Sequence, residues 1–214
     1  MTSDLWHVTM MTIAVSGTAT LIAAGIGIPL GTRLALREFL GKRAIKVITY
    51  MMYGFPPVLA GLLIYLLLSN DGPLGSAELL FTPWAMIIAQ VLLVTPIITG
   101  LTLSAISEVG PDVKDTAQTL GADDKQVSRT VISEAKVGVV SAVMVGFGRA
   151  IAEVGAVIIV GGNIKWHTRV LTTSIVLETR QANFDYALVL GAILLTVAAA
   201  VFIVLQYYQE GDRR

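Results

Sequence analysis

Two charged residues stand alone in a long apolar stretch: Arg149 and Glu153, within Val137 to Val160. Residues four apart share one helical face and can pair. A charge at the centre of a membrane-spanning helix costs about 2.5–3.5 kcal/mol on insertion scales, so it needs a partner or water. Three uses of the pair are open. It can be an ion pair that fixes helix against helix, a polar point on a solute pathway or its gate, or a carboxylate base for an intramembrane hydrolase. The last needs a nucleophile or metal ligands at the same depth, and none stands there. His7 and His167 have no carboxylate or second histidine at ligand spacing and read as loop or interface residues. Met10, Met11, Met51 and Met52 read as core filling, although methionine can bind soft metals. With no cysteine, there is no disulfide, thiolate site or cysteine nucleophile. A phosphate-binding loop of the Gly-x-x-x-x-Gly-Lys-Ser/Thr type is also missing, so any ATP used must sit on another chain. No metal or cofactor is expected on this one.

The elements that position these residues are apolar. Of 214 residues, 55% are hydrophobic and 14% charged, against about 25% charged in a soluble domain. The 15 basic and 15 acidic residues balance, which argues against a nucleic-acid partner. Charges fall in short clusters separated by apolar stretches long enough to cross a bilayer. Five spans are expected: Val8 to Leu30, Val47 to Ser69, Trp84 to Ile106, Val137 to Val160, and Tyr186 to Tyr208. Pro56 and Pro57 predict a kink in the second, and Pro96 one in the third. Met1 to His7 lacks the basic start of a cleaved signal peptide, so the first span is expected to remain. Trp6, Trp84, Trp166, Tyr207 and Tyr208 fall near span ends and read as interfacial anchors. One all-α membrane domain accounts for residues 1–214.

Orientation follows from the loops. Arg33, Arg37, Lys42, Arg43 and Lys46 crowd the first, whereas Asp71 and Glu78 occupy the second with no base. Basic loops stay in the cytoplasm. That puts the N-terminus outside, Glu108 to Lys136 inside, Gly161 to Asp185 outside, and the C-terminus with Arg213 and Arg214 inside. Lys165, Arg169 and Arg180 are basic residues on the outer side, where they can line an anion entrance or a segment that dips back into the protein. Leu171, Ile175 and Val176 at helical spacing predict a short amphipathic helix lying near the outer surface.

The Asp115 to Lys136 segment reads as two short helices joined at a glycine. Gly121 suits a left-handed C-terminal position, and Asp123 or Asp124 can cap the next helix. The result is a cytoplasmic knob, although alternating charges also suit a plain wet loop.

This segment resembles the coupling motif of ABC importer permeases: Glu-Ala-Ala, three residues, Gly, nine residues, Ile-x-Leu-Pro. Asp115, Thr116 and Ala117 match the first three positions, Gly121 the glycine and Val131 the isoleucine. Departures are Asp115, Thr116, Ser133 and Glu134. Pro56-Pro57-Val58-Leu59-Ala60-Gly61, with Gly72-Pro73-Leu74-Gly75 further on, is similar to a block of molybdate, tungstate and sulfate permeases. Gly146 to Ala156, running on to Gly161-Gly162-Asn163, resembles the Arg-x-x-x-Glu-x-Gly-Ala block of the same group. The ending Glu134-Ala135-Lys136 looks most like the tungstate permeases.

The resemblance implies a type I, methionine-permease-like membrane fold in a bacterial or archaeal plasma membrane. It implies a homodimer forming the pathway, two ATP-binding cassette subunits carrying ATP and magnesium, an external binding protein, and tungstate or molybdate (or else sulfate) as cargo. Asp115, Thr116, Ala117, Gly121, Val131 and Glu134 would then couple to the ATPase, and Arg149, Glu153 and Asn163 would line the pathway or gate.

Overall fold

Small residues let the longest helices meet. The computed structural model describes residues 2–211, and among them the chain is helix and turn with no strand. Helix α1 (Thr2–Leu36) runs through Pro29 without interruption. It lies parallel to the longest helix, counted fourth in the chain. That helix, α4 (Pro83–Thr119), follows α2 (Lys42–Met51) and α3 (Pro57–Leu68). A Cβ added at Gly31 would lie 2.5 Å from the Thr99 carbonyl oxygen, and one at Gly27 would lie 3.1 Å from that of Thr95. Only glycine allows that approach, the usual device where lipid supplies no hydrophobic drive between helices. The core is built from Val15, Ala19, Ala60, Ile64, Met86, Ala89, Leu93, Val157 and Val160. Hydroxyls within α1 turn back on the helix: Thr12 donates to the Val8 carbonyl and Thr20 to that of Ser16, each at 2.7 Å.

Among the described residues three helices are long and apolar enough to cross a bilayer alone: α1, α4 and α9 (Phe184–Gly211). Two bent pairs bring the total to five where each counts as one span. In the first, α2 with the 3-10 turn Met52–Gly54 meets α3 at 106°. The expected second span, Val47 to Ser69, is therefore not one kinked helix but two helices and a corner. Phe55 and Pro56 are both extended, at ψ 124° and 123°. Each precedes a proline, whose ring drives the preceding residue out of the helical region. Pro57 then opens α3 in the first turn, where a missing N–H does no harm. Pro96 behaves otherwise: α4 continues through it.

In the second pair, α5 (Asp124–Glu134) meets α6 (Lys136–Ile151) at 53°. Helix α6 lies antiparallel to α4, with Gly138 against Ala105 and Gly146 against Val94 and Ile98. The expected fourth span, Val137 to Val160, also breaks: α6 ends at Ile151 and α7 (Gly155–Gly161) begins after three residues. The expected loop from Glu108 starts as helix, since α4 carries on to Thr119.

Helix α8 (Leu171–Arg180) matches the amphipathic segment but is not laid on the surface. Leu171, Thr172, Thr173 and Ser174 are buried, and the Leu171 N–H donates to Thr12 Oγ1 at 2.9 Å. Its threonines can enter because they find partners inside. Helix α9 is exposed along most of its apolar length, with Leu188, Leu195 and Ile203 outward. Trp6, Trp84, Trp166 and Tyr207 are exposed. Arg213 and Arg214 lie outside the described residues, as does the Tyr208 side chain.

Candidate functional site

Helix α6 stops inside the apolar layer without a proline, and Glu153 explains how. One carboxylate oxygen, Oε2, accepts from Arg149 Nη1 at 2.5 Å. The other, Oε1, accepts the Ala156 N–H at 3.0 Å, which satisfies a free donor of the first turn of α7. The Glu153 carbonyl accepts from Thr172 Oγ1 of α8 at 3.0 Å. The Ala150 carbonyl accepts both the Glu153 N–H at 3.1 Å and Gln90 Nε2 of α4 at 3.1 Å. Broken backbone at membrane depth is tolerated where protein groups take up the freed donors and acceptors. Four elements therefore meet at this one break.

Within the pair the burial is unequal. The Glu153 side chain is 2% exposed and the Arg149 side chain 30%. A guanidinium has five N–H donors, and Glu153 uses Nη1, so Arg149 keeps further donors. Both Glu153 oxygens are engaged, one by a cation and one by a backbone N–H. Gln90 and Thr172 were missed in the sequence. The signal was there for Gln90, an amide in the middle of an apolar span; for Thr172 there was none.

Asn163 is not brought to this pair. It sits past α7 at φ 51°, and Arg169 holds it, Nε to Oδ1 and Nη2 to the carbonyl, both at 3.2 Å. Lys165 in the same loop pairs with Asp4 at 3.5 Å. Lys165 and Arg169 are thus engaged by the protein. His7 packs against Trp166, ring centroids 5.3 Å apart, and His167 is exposed. Among the described residues no group of three histidines or carboxylates could hold a metal.

The knob is built by local rules. Helix α4 ends at Thr119, and Gly121 takes φ 83°. The Ala122 N–H donates to the Ala117 carbonyl and the Gly121 N–H to that of Gln118, both at 3.0 Å. These are the two bonds of a Schellman ending. Asp123 then caps α5: its Oδ1 accepts the Gln126 N–H and its own N–H donates to Gln126 Oε1, each at 2.8 Å. Val127 and Val131 are buried beside Ile106 and Ala135, with Ala117 and Ala122 packed on them. Val131 and Ala117 thus anchor the knob, while Asp115, Thr116 and Glu134 face outward. Leu120, at the tip, is 82% exposed.

Broken apolar spans, close contacts through small residues and a capped knob are the features of a polytopic membrane domain. The chain belongs to the family described as binding-protein-dependent transport system inner membrane component, which it matches over residues 27–214. It is 43% identical over 207 residues to the tungstate uptake system permease protein TupB of Peptoclostridium acidaminophilum, covering 97% of this chain and 91% of the relative. A probable anion ABC transporter permease protein of Haloferax volcanii is 40% identical over 202 residues, 92% of this chain and 87% of the relative. In fold it is similar to the inward-facing MetNI methionine ABC transporter, at TM-score 0.74 and 15% identity, covering 100% of this chain and 96% of that one. The chain is a multi-pass permease subunit of an ABC importer with the type I membrane fold.

Proposed function

We propose that two copies of this chain form the pathway of an importer for tungstate or the closely similar molybdate. The observation that carries this reading is the near full-length likeness to the P. acidaminophilum tungstate permease. Two ATP-binding cassette subunits, holding ATP and magnesium, dock on the α4–α5 knob through Leu120 and the outward Asp115, Thr116 and Glu134. An external binding protein delivers the anion. ATP binding and hydrolysis close and reopen the ATPase pair, and the knob passes that movement to α4 and α6. The N-terminus lies outside and the C-terminus in the cytoplasm, as the basic first loop favours.

Arg149 serves passage in this reading. Its spare donors attract the anion, while Glu153 offsets the charge so that the anion also leaves. Asn163 acts indirectly, through the loop shape that Arg169 fixes. Transport assays test the proposal: proteoliposomes holding the permease, its ATPase and the binding protein should take up tungstate with ATP, measured by elemental analysis. Sulfate taken up in preference to both tungstate and molybdate, or no stoichiometric ATPase on co-purification, would sink it.

A further inference from the structure

The end of the bundle opposite the knob holds a cavity of about 550 Å³ between α1, the 161–170 loop, α8 and the start of α9. Its wall carries both signs of charge. Asp4, Glu178 and Asp185 contribute three carboxylates, and Lys165 and Arg169 two cations. Three carboxylates against two cations disfavour an anion alone. Among the described residues Asp185 makes no ion pair, and the Glu178 carboxylate accepts only from the neutral Asn183 Nδ2, at 2.9 Å. Two further groups lack partners: Ser174 Oγ, on a residue 5% exposed, and His7 Nε2. Both residues line the cavity. A buried hydroxyl without a partner is uncommon and points to something that completes it.

The surroundings are those of a bilayer interface. Trp166 lines the cavity and Trp6 is exposed beside it, in the positions tryptophan prefers at headgroup depth. From the mouth, the exposed apolar flank of α9 continues along Leu188, Val189 and Leu195 toward the middle of the span.

We propose that this cavity binds a zwitterion of the phosphoethanolamine type, a primary ammonium joined to a phosphate. The ammonium lies toward Glu178 and Asp185. The phosphate lies toward the outer donors of Lys165 and Arg169, with Ser174 and His7 completing its hydrogen bonds. As a lipid headgroup it would leave its acyl chains on the α9 flank. The inference concerns binding alone and stands apart from the cargo and the ATPase.

Native mass spectrometry of the full chain released from nanodiscs tests it. Nanodiscs contain phosphatidylglycerol with either phosphatidylethanolamine or phosphatidylcholine, whose trimethylated ammonium donates no N–H bond. The expected result is one retained phosphatidylethanolamine per chain, favoured over phosphatidylcholine by about tenfold, the scale of one hydrogen bond to a charged group. Glu178→Gln with Asp185→Asn should abolish that preference, Ser174→Ala should lower retention of both lipids about threefold and leave the preference unchanged, and Glu178→Asp should preserve it. Equal thermal midpoints keep the variants comparable. Soluble glycerophosphoethanolamine separates the sources: competition by it at equal headgroup concentration means that the free zwitterion is the ligand, and no competition means that the lipid is. Equal retention of the two lipids with no binding of the soluble compound overturns the proposal. So does a preference that survives the double substitution, or disulfide cross-linking between Asp185→Cys copies that shows a second chain covering the cavity.

Discussion

Arg149 Nη1 meets Glu153 Oε2 at 2.5 Å across the end of α6, while the other Glu153 oxygen holds the first turn of α7. One carboxylate thus balances an intramembrane cation and stabilises a helix break together. The two roles separate by substitution. Arg149→Gln should leave Glu153 charged and buried, lowering stability by up to about 3 kcal/mol, less where the exposed arginine was already solvated. Uptake should fall further than assembly. Glu153→Gln keeps an acceptor for Ala156 but strands the arginine, and should slow release of the anion. If the pair serves passage, the double variant assembles with its ATPase yet transports poorly. Recovery of both assembly and uptake in the double variant would mean that the pair only holds the fold. Uptake and co-purification, measured on the same preparations, decide it.

Gly121 at φ 83° should not accept a β-branched residue. Gly121→Val is expected to cost about 1–2 kcal/mol locally and to turn Leu120 away from its present direction. The bundle should stay folded while ATP hydrolysis loses its stimulation by the loaded binding protein. Gly121→Asn, which tolerates the left-handed region, should retain most coupling. Normal stimulated hydrolysis by the valine variant would remove the knob from the coupling step.

Leu120→Glu makes a cleaner probe of docking, because the residue is 82% exposed and supports nothing inside the chain. Thermal stability should be unchanged within about 0.5 kcal/mol. Recovery of the ATPase on affinity purification should drop about tenfold or more, as when an apolar anchor is lost from an interface. Full recovery would place the contact elsewhere.

Gln90→Leu removes the α4 donor to the Ala150 carbonyl in a buried setting. The expected loss is about 1 kcal/mol, since Ala150 keeps the Glu153 N–H. The break should become more mobile, seen as faster hydrogen exchange at Glu153 to Ala156. Unchanged exchange there would show that Gln90 is not part of what holds it.

Orientation is testable because the chain has no cysteine. Ser76 and Arg43 are both exposed. Ser76→Cys should react with an impermeant maleimide added to intact cells, and Arg43→Cys only after the membrane is opened. The reverse pattern would invert the topology.

Short-range features were readable from the sequence. Gly121, Asp123 and Gln126 lie within six residues, and glycine geometry plus a side-chain cap specify that turn without help from the rest of the chain. The apolar lengths of α1, α4 and α9 are a matter of composition, and the corner before α3 follows from two adjacent prolines, although its 106° does not. The break after Ile151 is different. No proline announces it: the local contacts of Glu153 with Arg149 and the Ala156 N–H are joined there by Gln90 of α4 and Thr172 of α8, which take up the Ala150 and Glu153 carbonyls. Likewise α8 sinks inward because Thr12, 159 residues away in the chain, accepts its first N–H. In an apolar layer a freed backbone group must find a protein partner, so where a helix can stop is decided by which distant side chains arrive there.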